Sequence, residues 1–436
     1  MIRTTHRSPL GVIALVVALV AGACGTNQGG SGGGAGSPAA AGSPAAGSPA
    51  AGGSPAAALS GNLTVWAMGN EGVLLGTLAD EFMKANPGVK VSVTPVDWGQ
   101  AVTKLQTAIA GNTTPDVSQM GTDMMGQFGA TGAFETVPSD IVPTDYFDSA
   151  WKTNIVGGVV SGVPWYVETR LLYYRTDIAA KAGITKPPAT WDELKAMATA
   201  MKDKGGSKWG ISLGTKNWQE YFPFLWSNGG DVTDASGTPT LNTPQAVEAL
   251  TFYDSFFEEG LTPKSVPEGF AIEAAFVKGD NPMFFSGPWH LGLVEKAGGA
   301  DFKDKWAIAP MPKKVSATSF LGGSNVVVFK GSKNKDAAWA FVKFLSDPKT
   351  QALWYKTATD LPAVQSGWED AAVKSDPNVA MFGTQLKETK AQPVSATWSE
   401  VSSAINDTLE KMTTGSTAPQ AAADEMQQKA ASIGLK

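Results

Sequence analysis

Cysteine occurs once in the 436 residues, at Cys24, and histidine twice, at His6 and His290. A single Cys cannot close a disulfide within the chain, so packing alone has to hold the fold. Histidine and cysteine catalysis has almost nothing to work with, and no HExxH, CxxC or P-loop pattern is present, so zinc chemistry and nucleotide binding find no support. Charge is sparse, at 17% of residues with a net of −6, and its signs are mixed. That leaves no basic face for nucleic acid. Long apolar runs are also missing: the longest, Leu10 to Val20, falls short of the roughly 20 residues that a bilayer span requires.

That short run has a specific setting. Arg3, His6 and Arg7 precede it, and Ala21, Gly22, Ala23 and Cys24 follow. A charged start, an apolar stretch of this length and small residues at a cleavage point read as a secretory signal over residues 1–23. The Ala21-Gly22-Ala23-Cys24 segment resembles the bacterial lipobox, with Ala where Leu is usual three residues before the Cys. Cleavage there would make Cys24 a lipidated N-terminus; a plain secreted protein is the alternative. No charged side chain lies between residues 25 and 70, and Gly-Ser-Pro-Ala-Ala recurs from Gly36, Gly42, Gly47 and Gly53. Such a composition offers too little apolar surface to offset its ordering entropy. Residues 24–61 are therefore expected to be a disordered tether between the membrane and the body, with a reach of about 35 Å.

From Asn62 the chain is too long for one core and suits two lobes. Residues 63–68 predict a strand running into a Gly69–Gly72 turn, 73–86 a helix, 89–96 a strand, 101–110 a helix and 115–120 a third strand. Strand–helix–strand alternation argues for a parallel α/β sheet, and ligands of such sheets bind beyond the carboxyl ends of the strands. Met68, Asn70, Glu71, Asp97, Trp98, Met120, Gly121, Thr122 and Asp123 stand there. Further helices are expected at 190–194, 218–226, 244–259, 335–345 and from Trp398 to the C-terminus, with strands at 209–213, 281–285 and 320–326.

The stretch Val160–Asp177, VSGVPWYVETRLLYYRTD, organises the rest. It is β-rich, yet Glu168 and Arg170 sit in its middle. Charge inside a strand belongs at an edge, a lobe junction or a cleft, because unpaired buried charge is costly. One reading is an edge strand with a local ion pair. The other is a strand passing between lobes that presents Trp165, Tyr166, Glu168 and Arg170 to the gap. Tryptophan is plentiful, with 14 residues, too many for all to be ordinary core. Trp66, Trp151, Trp191, Trp306, Trp339 and Trp354 are expected in the core, while Trp218, Trp226 and Trp398 could face either core or ligand.

Several segments together resemble the extracellular solute-binding proteins of ABC importers, specifically the sugar-binding family that includes maltose-binding proteins. They are TVWAMGNEG (64–72), NPGVKV (86–91), TPDVSQMGT (114–122), SGVPWYVETRLLYYRTD (161–177), PATWDEL (188–194), MFFSGPW (283–289) and FLGGSNVVV (320–328), in order along nearly the whole body. The resemblance implies an α/β, two-lobe periplasmic-binding-protein-like fold (type II), with hinge-linked lobes and a ligand cleft between them. It implies an N-terminal lobe over 62–169, a C-terminal lobe over 170–323, a return to the first lobe over 324–370, and C-terminal helices over 371–436 packing on the second lobe, with Trp398 near the ligand. Crossings fall near Glu168–Tyr173, Gly322–Val326 and within 361–379. In the family the position of Glu168 is commonly acidic and contacts sugar hydroxyls, and that of Trp289 stacks on a ring.

Sugars offer apolar C–H faces and a rim of hydroxyls, so flat rings and carboxylates, amides or Arg suit them. The expected platforms are Trp98, Trp165, Tyr166, Tyr221, Trp226, Trp289 and Trp398. The expected polar contacts are Asn70, Glu71, Asp97, Thr122, Asp123, Glu168 and Arg170, with backbone donors at Gly322, Gly323 and Ser324. The function expected is non-enzymatic capture of a mono- or oligosaccharide and its delivery to an ABC importer's membrane subunits, by a monomer anchored at Cys24 on the outer face of the membrane, without metal, cofactor or nucleic acid. Two other readings stay open: a binding protein of the same fold for a non-sugar ligand, and a secreted hydrolase drawing a carboxylate pair from Glu71, Asp97, Asp123 and Glu168.

Overall fold

Among the described residues twelve β-strands frame the body: β1 (Gly61–Met68), β2 (Val89–Val96), β3 (Val117–Gly121), the small hairpin β4–β5 (Ile155–Val156 and Val159–Val160), β6 (Val163–Thr169), β7 (Leu171–Arg175), β8 (Met283–Ser286), β9 (Trp306–Ala309), β10 (Ser319–Val328), β11 (Leu361–Pro362) and β12 (Thr389–Lys390). The computed structural model describes residues 59–267 and 269–435. The expected signal segment, Cys24 and nearly all of the expected tether lie outside the described residues.

The main sheet has the order β11-β6-β10-β3-β1-β2, with β12 paired to the start of β10. β1 runs parallel to β2 from Gly61↔Val89 to Met68↔Val96, and parallel to β3. β10 runs antiparallel to both β3 and β6. The parallel expectation therefore holds for the first three strands, whose helical connections impose it, and β10 enters the sheet in reverse. As a result Met68, Val96 and Gly121 end at the same edge of the sheet, where Thr169 also ends and Leu321–Ser324 begin.

β6 is buried along its whole length, as an interior strand covered on both faces should be. It lies between β10 and β11, so the edge-strand reading of its charges does not hold. Across Arg170 the chain leaves the main sheet and becomes β7, the middle strand of a separate antiparallel sheet, β8-β7-β9. One continuous extended segment thus belongs to both sheets, the two-lobe α/β arrangement of a type II binding protein.

The local elements follow their sequence signals. Thr190 caps the helix Trp191–Asp203 by accepting from the Glu193 backbone N–H, and Asn217 caps Trp218–Ser227 in the same way. Cap hydroxyls and amides satisfy helix-end donors that have no partner of their own. Other expectations shift. Gly69 and Glu71 open a helix, Gly69–Leu74, rather than a turn, and 209–213 contributes only a bridge from Ser212 to Phe284. Among the expected core tryptophans, Trp151, Trp191 and Trp354 are buried, whereas Trp66, Trp306 and Trp339 are half-buried.

Candidate functional site

A cavity of about 520 Å³ opens at the carboxyl edge of the main sheet, within the size range usual for small-ligand sites. From the main-sheet side it is lined by Asn70, Glu71, Trp98, Gly121, Thr122, Asp123, Met124, Tyr166, Gly323 and Ser324. Gln219, Glu273, Trp289, His290 and Leu293 line the opposite side, and Glu168, Arg170 and Phe320, at the start of β10, stand where the two meet.

The first wall is built on strand ends. Asn70 and Glu71 follow β1, Trp98 starts the helix after β2, and Thr122 and Asp123 follow β3. Behind them a buried hydrogen-bond chain sets the floor. The Tyr166 hydroxyl donates to Glu71 Oε1 at 2.7 Å. It accepts from Ser324 Oγ at 3.1 Å and from Gln119 Nε2 at 3.2 Å. Gln119 also donates to Ser324 Oγ at 3.0 Å and accepts from the Met68 backbone N–H at 2.6 Å. Four strands are tied together by these bonds, so the carboxylate of Glu71 is positioned before any ligand arrives.

Glu168 is only 8% exposed and lies opposite Gly322 of β10. A Cβ at position 322 would come within 2.4 Å of Glu168 Oε1, so the glycine makes room for a carboxylate in an interior strand. Arg170 Nη2 donates to Glu168 Oε1 at 3.2 Å. Its guanidinium stands 4.6 Å from the centre of the Trp289 ring and 5.6 Å from that of Phe320, an arrangement in which ring faces attract the cation. Burial nevertheless dominates at Glu168. Its carboxyl is pushed up from 4.5 to about 7, with Arg170 opposing the rise and Glu71 and Asp123 adding to it. Burial also raises the carboxyls of Glu71, Asp123 and, most strongly, Asp360, whose rise the charges of Glu71 and Glu168 reinforce.

On the second side His290 bridges two neighbours, with Nδ1 2.6 Å from Ser286 Oγ and Nε2 3.0 Å from Glu273 Oε1. The pairing with His290 holds the Glu273 carboxyl below its usual value.

Of the residues expected from sequence, Asn70, Glu71, Trp98, Thr122, Asp123, Tyr166, Glu168, Arg170, Trp289, Gly323 and Ser324 lie together on this cavity. Six others do not. Asp97 caps the helix Trp98–Ala110, accepting from the Gly99 backbone N–H at 2.8 Å. Gly322 lies behind Glu168 rather than beside the cavity. Trp165 is buried and stacks on Trp354 at 4.8 Å, because alternate side chains of a strand face opposite ways and Tyr166 and Glu168 take the cavity face. Tyr221 and Trp226 lie on core-facing sides of their helix. Trp398 is 1% exposed and packs edge-on against Trp218 at 5.1 Å, so this aromatic pair closes a core instead of meeting ligand.

The sequence reading placed Gly121 at the strand ends, and it missed Met124, Gln219, Glu273, His290, Leu293 and Phe320. His290 follows Trp289 directly and Phe320 opens FLGG, so both were within reach of the motifs. Gln219 and Glu273 had no local signal; only the packing of their helices brings them to the cavity.

Two lobes sharing a crossing strand, with a polar and aromatic cavity where they meet, define a binding protein that holds a small solute between its lobes. The chain belongs to the bacterial extracellular solute-binding protein family, whose model matches residues 70–352. Among curated proteins it is 27% identical over 362 residues to a putative binding protein of Brucella abortus, covering 81% of this chain and 87% of that one. It is also 27% identical to the maltotriose-binding protein of Pyrococcus abyssi, covering 80% of this chain and 78% of that one. Among solved structures, the sugar-binding protein MalE of Xanthomonas citri shares 30% identity at a TM-score of 0.75, covering 86% of this chain and 97% of the other. These relatives are binding proteins, not enzymes, which removes the hydrolase reading.

Proposed function

We propose that the protein captures a mono- or oligosaccharide in this cavity and passes it to the membrane subunits of an ABC importer. The observation that carries the reading is the pairing of two indole rings, Trp98 from the first lobe and Trp289 from the second, with a polar rim of Asn70, Glu71, Thr122, Asp123 and Glu168 on one cavity. Ring faces suit the apolar C–H faces of a sugar, and the rim suits its hydroxyls. The maltotriose-binding and MalE relatives support the same ligand class. On this reading residues 62–169 and 170–323 are the two lobes, 324–370 return to the first and 371–436 pack on the second, and closure is a hinge motion at the crossings.

Ligand that binds only the folded state raises the melting temperature by mass action. Thermal unfolding against a panel of mono- and oligosaccharides is expected to show such a rise for at least one sugar, and chromatography after incubation is expected to return that sugar intact. A flat response across the panel would remove the saccharide reading.

The anchor belongs to the same proposal. Cys24 after an apolar run and small residues is the feature of a lipidated N-terminus, and the uncharged tether beyond it gives the body reach. Cys24→Ala is expected to move the protein from the membrane fraction into the medium. Retention of the variant at the membrane would show that something other than Cys24 holds it.

A further inference from the structure

We propose that the saccharide this cavity is built for carries a basic nitrogen, received as an ammonium group at the corner where Trp98 meets Glu71 and Asp123. The proposal rests on the saccharide reading and narrows its ligand class.

The corner is defined by two glycines. A Cβ on Gly69 would come 2.6 Å from the Trp98 ring and 3.3 Å from Glu71 Oε2. A Cβ on Gly121 would come 2.6 Å from Asp123 Oδ1 and 3.4 Å from the Trp98 ring. Each carboxylate therefore lies near the indole, one at either glycine, and Trp98 is 37% exposed.

Charge around the cavity is matched on one side and unmatched on the other. Glu168 is paired with the Arg170 guanidinium, and Glu273 lies 3.0 Å from His290 Nε2. Glu71 and Asp123 make no ion pair among the described residues. Burial raises both of their carboxyls, opposed only by hydrogen bonds and, at Asp123, by the charge of Arg170. A cation beside either carboxylate would relieve what burial imposes.

The cavity already contains one complete example of the chemistry. Arg170 is a cation held by a carboxylate, Glu168, and by the face of an indole, Trp289. At Trp98, Glu71 and Asp123 the same two kinds of group stand together, and among the described residues no cation forms an ion pair with either carboxylate. A hydroxyl could donate one hydrogen bond there. An ammonium donates three, each charge-assisted, and its charge is attracted by the ring face as well.

The test is calorimetric titration of the full chain with glucosamine, galactosamine and the β-1,4-linked glucosamine disaccharide. Each is compared with its hydroxyl counterpart (glucose, galactose, cellobiose) and with its N-acetylated form, which has no charge. At least one amine is expected to bind about tenfold or more tightly than both neutral partners, a difference of about 1.4 kcal/mol. Asp123→Asn is expected to pull the ratio of amine to hydroxyl affinity towards one, and Glu71→Gln provides the same readout if the first variant does not fold. Hydroxyl or N-acetyl sugars that bind as tightly as the amines would overturn the ammonium proposal while leaving the saccharide reading intact. An amine preference that survives both substitutions would overturn the assignment to this corner. If no saccharide of any kind binds, the underlying saccharide reading fails, and this inference with it.

Discussion

Glu168→Gln is expected to change the pH profile of stability and to weaken saccharide binding at the same time. The Glu168 carboxyl titrates near 7 in the folded protein, against 4.5 when free of its surroundings. Between those values the folded state holds a proton that the unfolded chain has lost. Stability of the parent therefore falls as pH rises through this window, and the loss is complete above about pH 7. The size of the effect is about 3 kcal/mol, since a tenfold change in proton affinity corresponds to about 1.4 kcal/mol. Gln resembles the protonated form and cannot lose a proton, so the variant lacks this contribution. Denaturant unfolding at pH 5 and pH 8 should show the parent losing about 2 to 3 kcal/mol relative to the variant, because part of the full effect already falls below pH 5. Parallel pH profiles would mean that Glu168 is not held as the structure places it. For affinity the expected loss is about ten- to a hundredfold, measured with the tightest sugar of the panel, because Gln gives up charge-assisted bonds worth about 1.5–3 kcal/mol. Trp289→Ala, which removes the second-lobe ring, should lose affinity on a similar scale in the same titration.

Trp398→Ala gives the opposite pattern. The resemblance to sugar-binding proteins placed Trp398 near the ligand, whereas the structure packs it against Trp218 and Phe222 in the second-lobe core. Deleting a large buried ring costs the transfer energy of its atoms and leaves a cavity, about 3–5 kcal/mol for Trp→Ala. Urea unfolding should register that loss, and calorimetry at a temperature where the variant remains folded should find affinity within about twofold of the parent. A variant of parental stability that has lost affinity would return Trp398 to the cavity wall.

These two substitutions also mark where the sequence was informative. Glu168 could be singled out because a carboxylate inside a run of Val, Trp, Tyr and Leu has to be accommodated somewhere costly. Glu71, Trp98, Thr122 and Asp123 could be placed together because the ends of parallel strands share an edge. Trp165 was misplaced although the sequence held the corrective: in a strand it cannot share a face with Glu168, three residues away. Tyr221, Trp226 and Trp398 were misplaced for a different reason. An aromatic residue on a helix serves a core as well as a cleft, and only the neighbouring helix decides between them.

By itself, the sequence determined that no disulfide could close within the chain, and it gave the succession of most strands and helices, whereas the crossing between lobes was implied by the family resemblance and left open by the residues alone. The first two follow from local composition and from the period of the pattern. Tertiary structure alone decided that Gly322 makes room for the buried Glu168, that Arg170 lies over Trp289, and that Gln219 and Glu273 reach the cavity. It also decided that Glu71 and Asp123 both lie near Trp98 and that neither makes an ion pair among the described residues. Those facts depend on which side chains face each other across long sequence separations, and no local pattern encodes the charge that a residue will meet there.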